Sequence, residues 1–204
     1  MTARYSLLVP FLLTAGTAVA ETERQLDAHE HGVGQLNIAV EATTIAIELT
    51  APGADIAGFE HTAETADDRA AIDRALALLA EPLRLFEIPD AAQCSVVDRS
   101  VALEGDGDAH ADHDHDHDHE HKHDHEHDHA GHDEAKEAQH TEFHAEYQLD
   151  CANPSAITRI GFAYFDTFPN ARELEVQVVS QGGAQAFEVE RDAPVLDLGG
   201  LLGS

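Results

Sequence analysis

Basic residues are scarce in this chain: 11 lysines and arginines stand against 40 aspartates and glutamates, a formal net charge of −29 over 204 residues. Nucleic-acid binding needs clustered Lys and Arg against the phosphates, so that class of partner is excluded. Cations are the natural counterpart of such a surface, while acidic residues spread over a domain also serve simply to keep it solvated. Apolar runs are scarce too. The stretch "SLLVPFLLTAGTAVA" at residues 6–20 falls short of the ~20 residues a membrane span needs, and no second run follows it. With Arg4 before it and the small residues Ala18 and Ala20 at its end, it reads as a signal peptide over 1–20, cleaved after Ala20. The mature protein is then exported and not embedded in a membrane. The sequence also offers neither a nucleophile elbow nor a phosphate-binding loop, which leaves enzymatic readings without their usual anchors.

Cysteine is limited to Cys94 and Cys151. An even count in an exported chain points to one disulfide. Closing a loop of about 58 residues, such a bridge is worth roughly 4 kcal/mol in the chain-entropy model. Zinc ligation by these thiols lacks the second cysteine of a C-x-x-C pair.

What the chain has in abundance is histidine, 16 in all. Most lie in "HADHDHDHDHEHKHDHEHDHAGHDE", from His110 to Glu134. His113, His115, His117, His119, His121, His123, His125, His127 and His129 follow one another at a strict two-residue spacing, flanked by His110 and His132. With almost no apolar side chain to offset its conformational entropy, the tract is expected to be a long disordered loop. Side chains two apart on an extended segment project to the same side, so neighbouring imidazoles converge on one ion. Neutral imidazole suits zinc, nickel and copper. The interleaved carboxylates add oxygen ligands, but an imidazole at every second position breaks up the oxygen cage that calcium wants. Binding of Zn2+ by the tract is therefore expected to be multiple, degenerate and labile. Two H-E-x-x-H strings, starting at His119 and His125, arise arithmetically from the repeat and carry no protease signal.

The remaining chain reads as one domain, residues 21–204, interrupted by a His/Asp/Glu-rich loop over 104–140. Period-two alternation marks strands through Leu36, Ile38 and Val40 and through Ile45, Ile47 and Leu49, with a turn between Glu41 and Thr44. Behind Thr65 as a cap, Ile72, Leu76, Leu79 and Leu83 recur at helical spacing and end near Pro82. A strand from Cys94 enters the tract, and another leaves it with Phe143, Ala145, Tyr147, Leu149 and Cys151 on one face. Three further strands are expected around Ile160 to Phe165, Leu174 to Val179 and Ala186 to Glu190, the last two joined at Gln181-Gly182-Gly183. The sum is an α+β fold, mainly antiparallel sheet of about seven strands, with one amphipathic helix.

Five histidines lie outside the tract: His29, His31, His61, His140 and His144. The blocks around them, "AHEHGVGQLNIAVE", "GFEH" and "EFHAEYQLDCANP", with the interrupting tract and "FPNARELEVQVVSQGG", resemble over nearly the whole mature chain the ZrgA-like family of bacterial periplasmic zinc-binding proteins. The resemblance implies a periplasmic protein that binds zinc and supports its uptake beside an importer of the ATP-binding-cassette type. It carries ligand roles over to His29, His31, His61 and His144. The same residues leave open a zinc-dependent periplasmic hydrolase and a metal-sensing regulatory partner of a membrane transporter.

Overall fold

A computed structural model describes residues 30–105 and 140–202. Residues 1–20, where a signal peptide is expected, His29 and the tract residues His110 to His132 lie outside these. In chain order the elements are β1 (Val33–Glu41), β2 (Thr44–Pro52), α1 (Gly53–Ile56), α2 (Ala66–Leu79), α3 (Pro82–Leu85), β3 (Phe86–Glu87), β4 (Cys94–Gly105), β5 (Thr141–Cys151), β6 (Arg159–Phe162), α4 (Tyr164–Thr167), β7 (Glu173–Ser180), β8 (Gly183–Glu190) and β9 (Val195–Asp197).

Six strands form one sheet in the order β4-β5-β2-β1-β7-β8, and three short ones form a second, β3-β6-β9. Pairing is antiparallel throughout except between β1 and β7, which run parallel with Leu36 opposite Val176. A parallel pair needs a long crossover. Here everything from β2 to α4 intervenes, so the β7–β8 hairpin is laid against β1 last in chain order.

Alternation decides which face of the large sheet is covered. Leu36 and Ile38, Ile45, Ile47 and Leu49, then Phe143, Tyr147 and Leu149, then Leu174, Val176 and Val178 all point to one side and are buried. Each such side chain contributes roughly 1.5–3 kcal/mol relative to exposure. Above them lie α2 and the small sheet, with Phe86, Phe162, Tyr164, Phe165 and Phe168 as an aromatic layer in mutual ring contact. The other side of the large sheet is polar, and carries Glu48, Glu142, His144, Glu146, Glu175 and Glu188. No helix among the described residues is long and apolar enough to cross a membrane.

The helix expected behind Thr65 is present and closed by a capping box, with Thr65 Oγ1 accepting from the Asp68 amide and the Asp68 carboxylate accepting from the Thr65 amide. Those bonds hold the exposed Asp68 carboxyl below its ordinary value. Its buried stripe is Ala75 and Leu79, with Ile72 and Leu76 partly covered. Leu83 is not part of the stripe: the helix stops at Leu79, and Leu83 belongs to α3 with more than a third of its surface exposed. The buried Tyr147 hydroxyl donates to the Leu79 carbonyl at 2.7 Å, satisfying one of the acceptors a helix end leaves over.

The strand expected from Ile160 to Phe165 ends at Phe162, because Tyr164–Thr167 turns into α4 to put Tyr164 and Phe165 into the core. Among the described residues there are nine strands where about seven are expected; β3 and β9, two and three residues long, are too short to show a period. Imperfect alternation from Cys94 onward has a cause in the register, which shifts between Val96 and Asp98. Cys94 and Cys151 face each other as a cross-strand pair and are joined by a disulfide. The bridge sits at the end of the β4–β5 ladder opposite the one from which residues 106–139 emerge and return.

Candidate metal centre

Three segments far apart in sequence meet at the tract end of that ladder, and small residues let them approach. Gly32 adopts φ +95°, a left-handed conformation that a side chain would strain, and a Cβ there would stand 2.9 Å from the Arg172 side chain. Its amide donates to both oxygens of Asp55, at 2.9 and 3.0 Å, while its carbonyl accepts from the amides of Arg172 and Glu173 at 2.8 and 2.9 Å. Gly32 is thus clamped on both sides, and His31 is delivered from a fixed point. Asp55 is only 3% exposed. Burial raises its pKa, and neighbouring Glu60 pushes the same way, against the Gly32 amide, His31 and Arg172.

Gly53 performs the same service for the opposite wall. A Cβ at this position would lie 2.3 Å from Thr141 Oγ1 and 2.8 Å from the Phe59 carbonyl, so only glycine lets α1 and the segment behind it press onto the start of β5. Asn170 pins the same turn by donating from Nδ2 to the Ala54 carbonyl at 2.9 Å. Glu60 is thereby set between the arriving β1 and the arriving β5.

One oxygen of Glu60 takes both histidines that come within reach. Oε2 lies 2.9 Å from His31 Nε2 and 3.0 Å from His140 Nδ1. The Glu60 side chain is 15% exposed, against 66% for His31 and 49% for His140. Burial by itself would raise the Glu60 pKa, but the hydrogen bonds from His140 and His31 outweigh it and hold the carboxyl below its ordinary value. At neutral pH the cluster is therefore an anionic oxygen shared by two imidazoles. Hydrogen-bond spacing is not metal spacing: ligands bound at ~2.0–2.1 Å to a tetrahedral ion stand roughly 3.3–3.4 Å apart. In keeping with this, among the described residues no group of three or more His, Cys, Asp or Glu side chains is arranged so that it could hold a metal ion.

The carried-over ligands do not gather at one point. His31 is in this cluster. His61 follows Glu60 directly, but its ring stacks on Phe59 at 4.7 Å and its Nδ1 donates to the Thr62 carbonyl at 2.9 Å. His144 stands on the open face of β5, four residues from His140, roughly 13 Å away at the rise of a strand. His29 and the tract histidines lie outside the described residues. Sequence reasoning did not single out Glu60 or His140. Glu60 was visible as the third residue of "GFEH", and His140 as the last histidine before β5, but only the fold shows that they meet.

The family model for the ZrgA family of zinc uptake proteins matches residues 28–198. Among curated proteins none matches. The matched span runs from just before His31 to just past β9, and so takes in every described strand, the Glu60 cluster and the tract.

Proposed function

Since the chain belongs to the ZrgA family of zinc uptake proteins, we propose that it captures and buffers zinc in the periplasm without catalysing a reaction, and passes it toward an importer of the ATP-binding-cassette type. The observation that carries this reading is the Glu60 oxygen engaged by His31 and His140, next to the point where the tract rejoins the sheet. Its chemistry is that of a receptor. The carboxylate is held ionised, and a divalent ion bound there would draw on one oxygen and two imidazole nitrogens, each neutral ring carrying its proton on its other nitrogen. The histidine tract supplies further ligands from the same chain. Many weak sites on one tether raise the local zinc concentration and rebind an ion that escapes. A hydrolase would need a base directed at a bound water. Glu60 instead has one oxygen, Oε2, engaged by both histidines.

Zinc titration calorimetry tests this on the intact chain, on a chain lacking His110 to His132, and on the His31→Ala/His140→Ala double variant. The shortened chain is expected to keep a tight site and lose the many weaker ones, while the double variant loses the tight site. Zinc stoichiometry should also fall between about pH 7.5 and about pH 5.5, since a protonated imidazole offers no lone pair. Should the shortened chain bind no zinc at all, the folded domain is a pedestal and the tract alone is the receptor.

A further inference from the structure

The large sheet ends in two edge strands, β4 and β8, and they differ in how they meet solvent. β4 breaks its register between Val96 and Asp98, and just past the break Arg99 Nη1 is tied to the Ala80 carbonyl at 2.8 Å. A bulge of that kind keeps foreign strands off an edge. β8 is paired with β7 alone and holds one register from Gly183 opposite Ser180 to Glu190 opposite Glu173. Its sequence, GAQAFEVE, contains no proline, lysine or arginine to blunt it.

Alternation shows which backbone groups this edge offers. Ser180 and Gly183 close a two-residue hairpin, so Gly183, Gln185, Phe187 and Val189 turn their amides and carbonyls to β7, and Ala184, Ala186, Glu188 and Glu190 turn theirs outward. The chain beyond keeps the same phase: the Arg191 amide donates to the Arg172 carbonyl on the β7 side at 2.8 Å, while the Glu190 carbonyl accepts from Ala193 at 3.0 Å. Among the described residues nothing bonds to the outward backbone groups of Ala184, Ala186 and Glu188.

The neighbouring side chains define what fits there. On the open face Glu188 stands opposite Glu175 and Glu190 opposite Glu173, two like-charged pairs side by side. The nearby arginines are engaged elsewhere, Arg172 along Gly32 and Arg191 at the carbonyls of Phe165, Phe168 and Ala171. On its other face β8 presents the partly buried Phe187 and the buried Val189.

We propose that the β8 edge is a docking site for an extended basic segment of a partner protein, which joins the sheet as a further strand beside Glu188 and Glu190. Main-chain bonds to Ala184, Ala186 and Glu188 attach it, alternate Lys or Arg side chains meet the carboxylates, and apolar residues between them continue the row of Phe187 and Val189. A second copy of this chain fits poorly, because its β8 brings the same carboxylates on a molecule of net charge −29. The inference requires no metal at Glu60.

A seven-residue peptide alternating lysine and valine, blocked at both ends, tests this on the full chain by amide proton–nitrogen NMR. At saturation, solvent exchange of the Ala184, Ala186 and Glu188 amides should slow about tenfold or more, while Gln185 and Phe187, already paired, keep their rates. The same peptide N-methylated at every amide retains its charge but cannot pair, and should bind about tenfold more weakly; so should the unmodified peptide to Glu188→Gln/Glu190→Gln. Absence of binding, unslowed exchange at saturation, or equal binding of the methylated peptide overturns the site. A doubled mass in light scattering without peptide, restored to that of one chain by Ala186→Pro, also overturns it, since the edge then belongs to a second copy.

Discussion

Single side chains with several jobs hold the centre in place. Asp55 fixes the Gly32 amide with both oxygens and stands near enough to His31 and Glu60 to feel their charges. Its raised pKa gives a signed expectation. A carboxyl whose folded pKa lies above the unfolded value of 3.8 contributes most below that value, and the contribution is lost as pH rises through the raised one. Asp55→Asn, which keeps one acceptor for Gly32 but never ionises, should therefore gain on the native protein as pH climbs from about 3.8 toward neutrality. Urea unfolding of both proteins across that range checks it; a stability difference that is flat or of opposite slope contradicts the burial argument. Arg191 does comparable work elsewhere, donating to the carbonyls of Phe165, Phe168 and Ala171 while its guanidinium lies 5.6 Å from the Phe165 ring centre. It satisfies the C-terminal acceptors of α4, a helix too short to stand on its own bonds.

At the level of elements, the β1–β2 hairpin closes tightly, with Glu41 opposite Thr44 and Ala42 at φ +52°. A left-handed alanine costs roughly 1–2 kcal/mol, and glycine escapes that cost but is freer when unfolded. Ala42→Gly is expected to stabilise the domain by about 0.5–1 kcal/mol, read as a higher melting temperature with no change in zinc binding. The β4–β5 ladder, by contrast, depends on a covalent tie. Reduction of Cys94–Cys151 should lower the melting temperature by several degrees, given the roughly 4 kcal/mol that closing so long a loop is worth at most. Equal melting with and without reductant would remove that role from the bridge.

Across the whole molecule, what the sequence made legible was whatever repeats. Leu36 to Val40 and Phe143 to Cys151 alternate because one face of each strand is buried, so their period survives into the fold. The Thr65 cap is a local signal, and Asp68 answers it locally. The parallel pairing of β1 with β7 depends on contacts between residues 140 positions apart, and the small sheet on pairings 34 to 76 positions apart, which no period encodes. The cluster around Glu60 is the clearest case. His31 announced itself through H-x-H, but Glu60 and His140 became partners only when Gly53 let α1 press against Thr141. The negative charge is uneven in its effects as well. Glu173, slightly buried and facing Glu188 and Glu190 across the β7–β8 pair, has its pKa raised first by that burial and then by those neighbours.

The placement of the disulfide has a consequence for how the chain survives damage. Residues 106–139 leave one end of the β4–β5 ladder, and Cys94–Cys151 closes the other, with the paired strands between them. A peptidase that cuts anywhere in that span divides the polypeptide without parting it. The two pieces stay joined by a covalent bond and by a full run of strand pairing, so the sheet and the Glu60 cluster outlast the cut. Insertions and deletions in the same span likewise leave the pairing register of β4 and β5 unchanged.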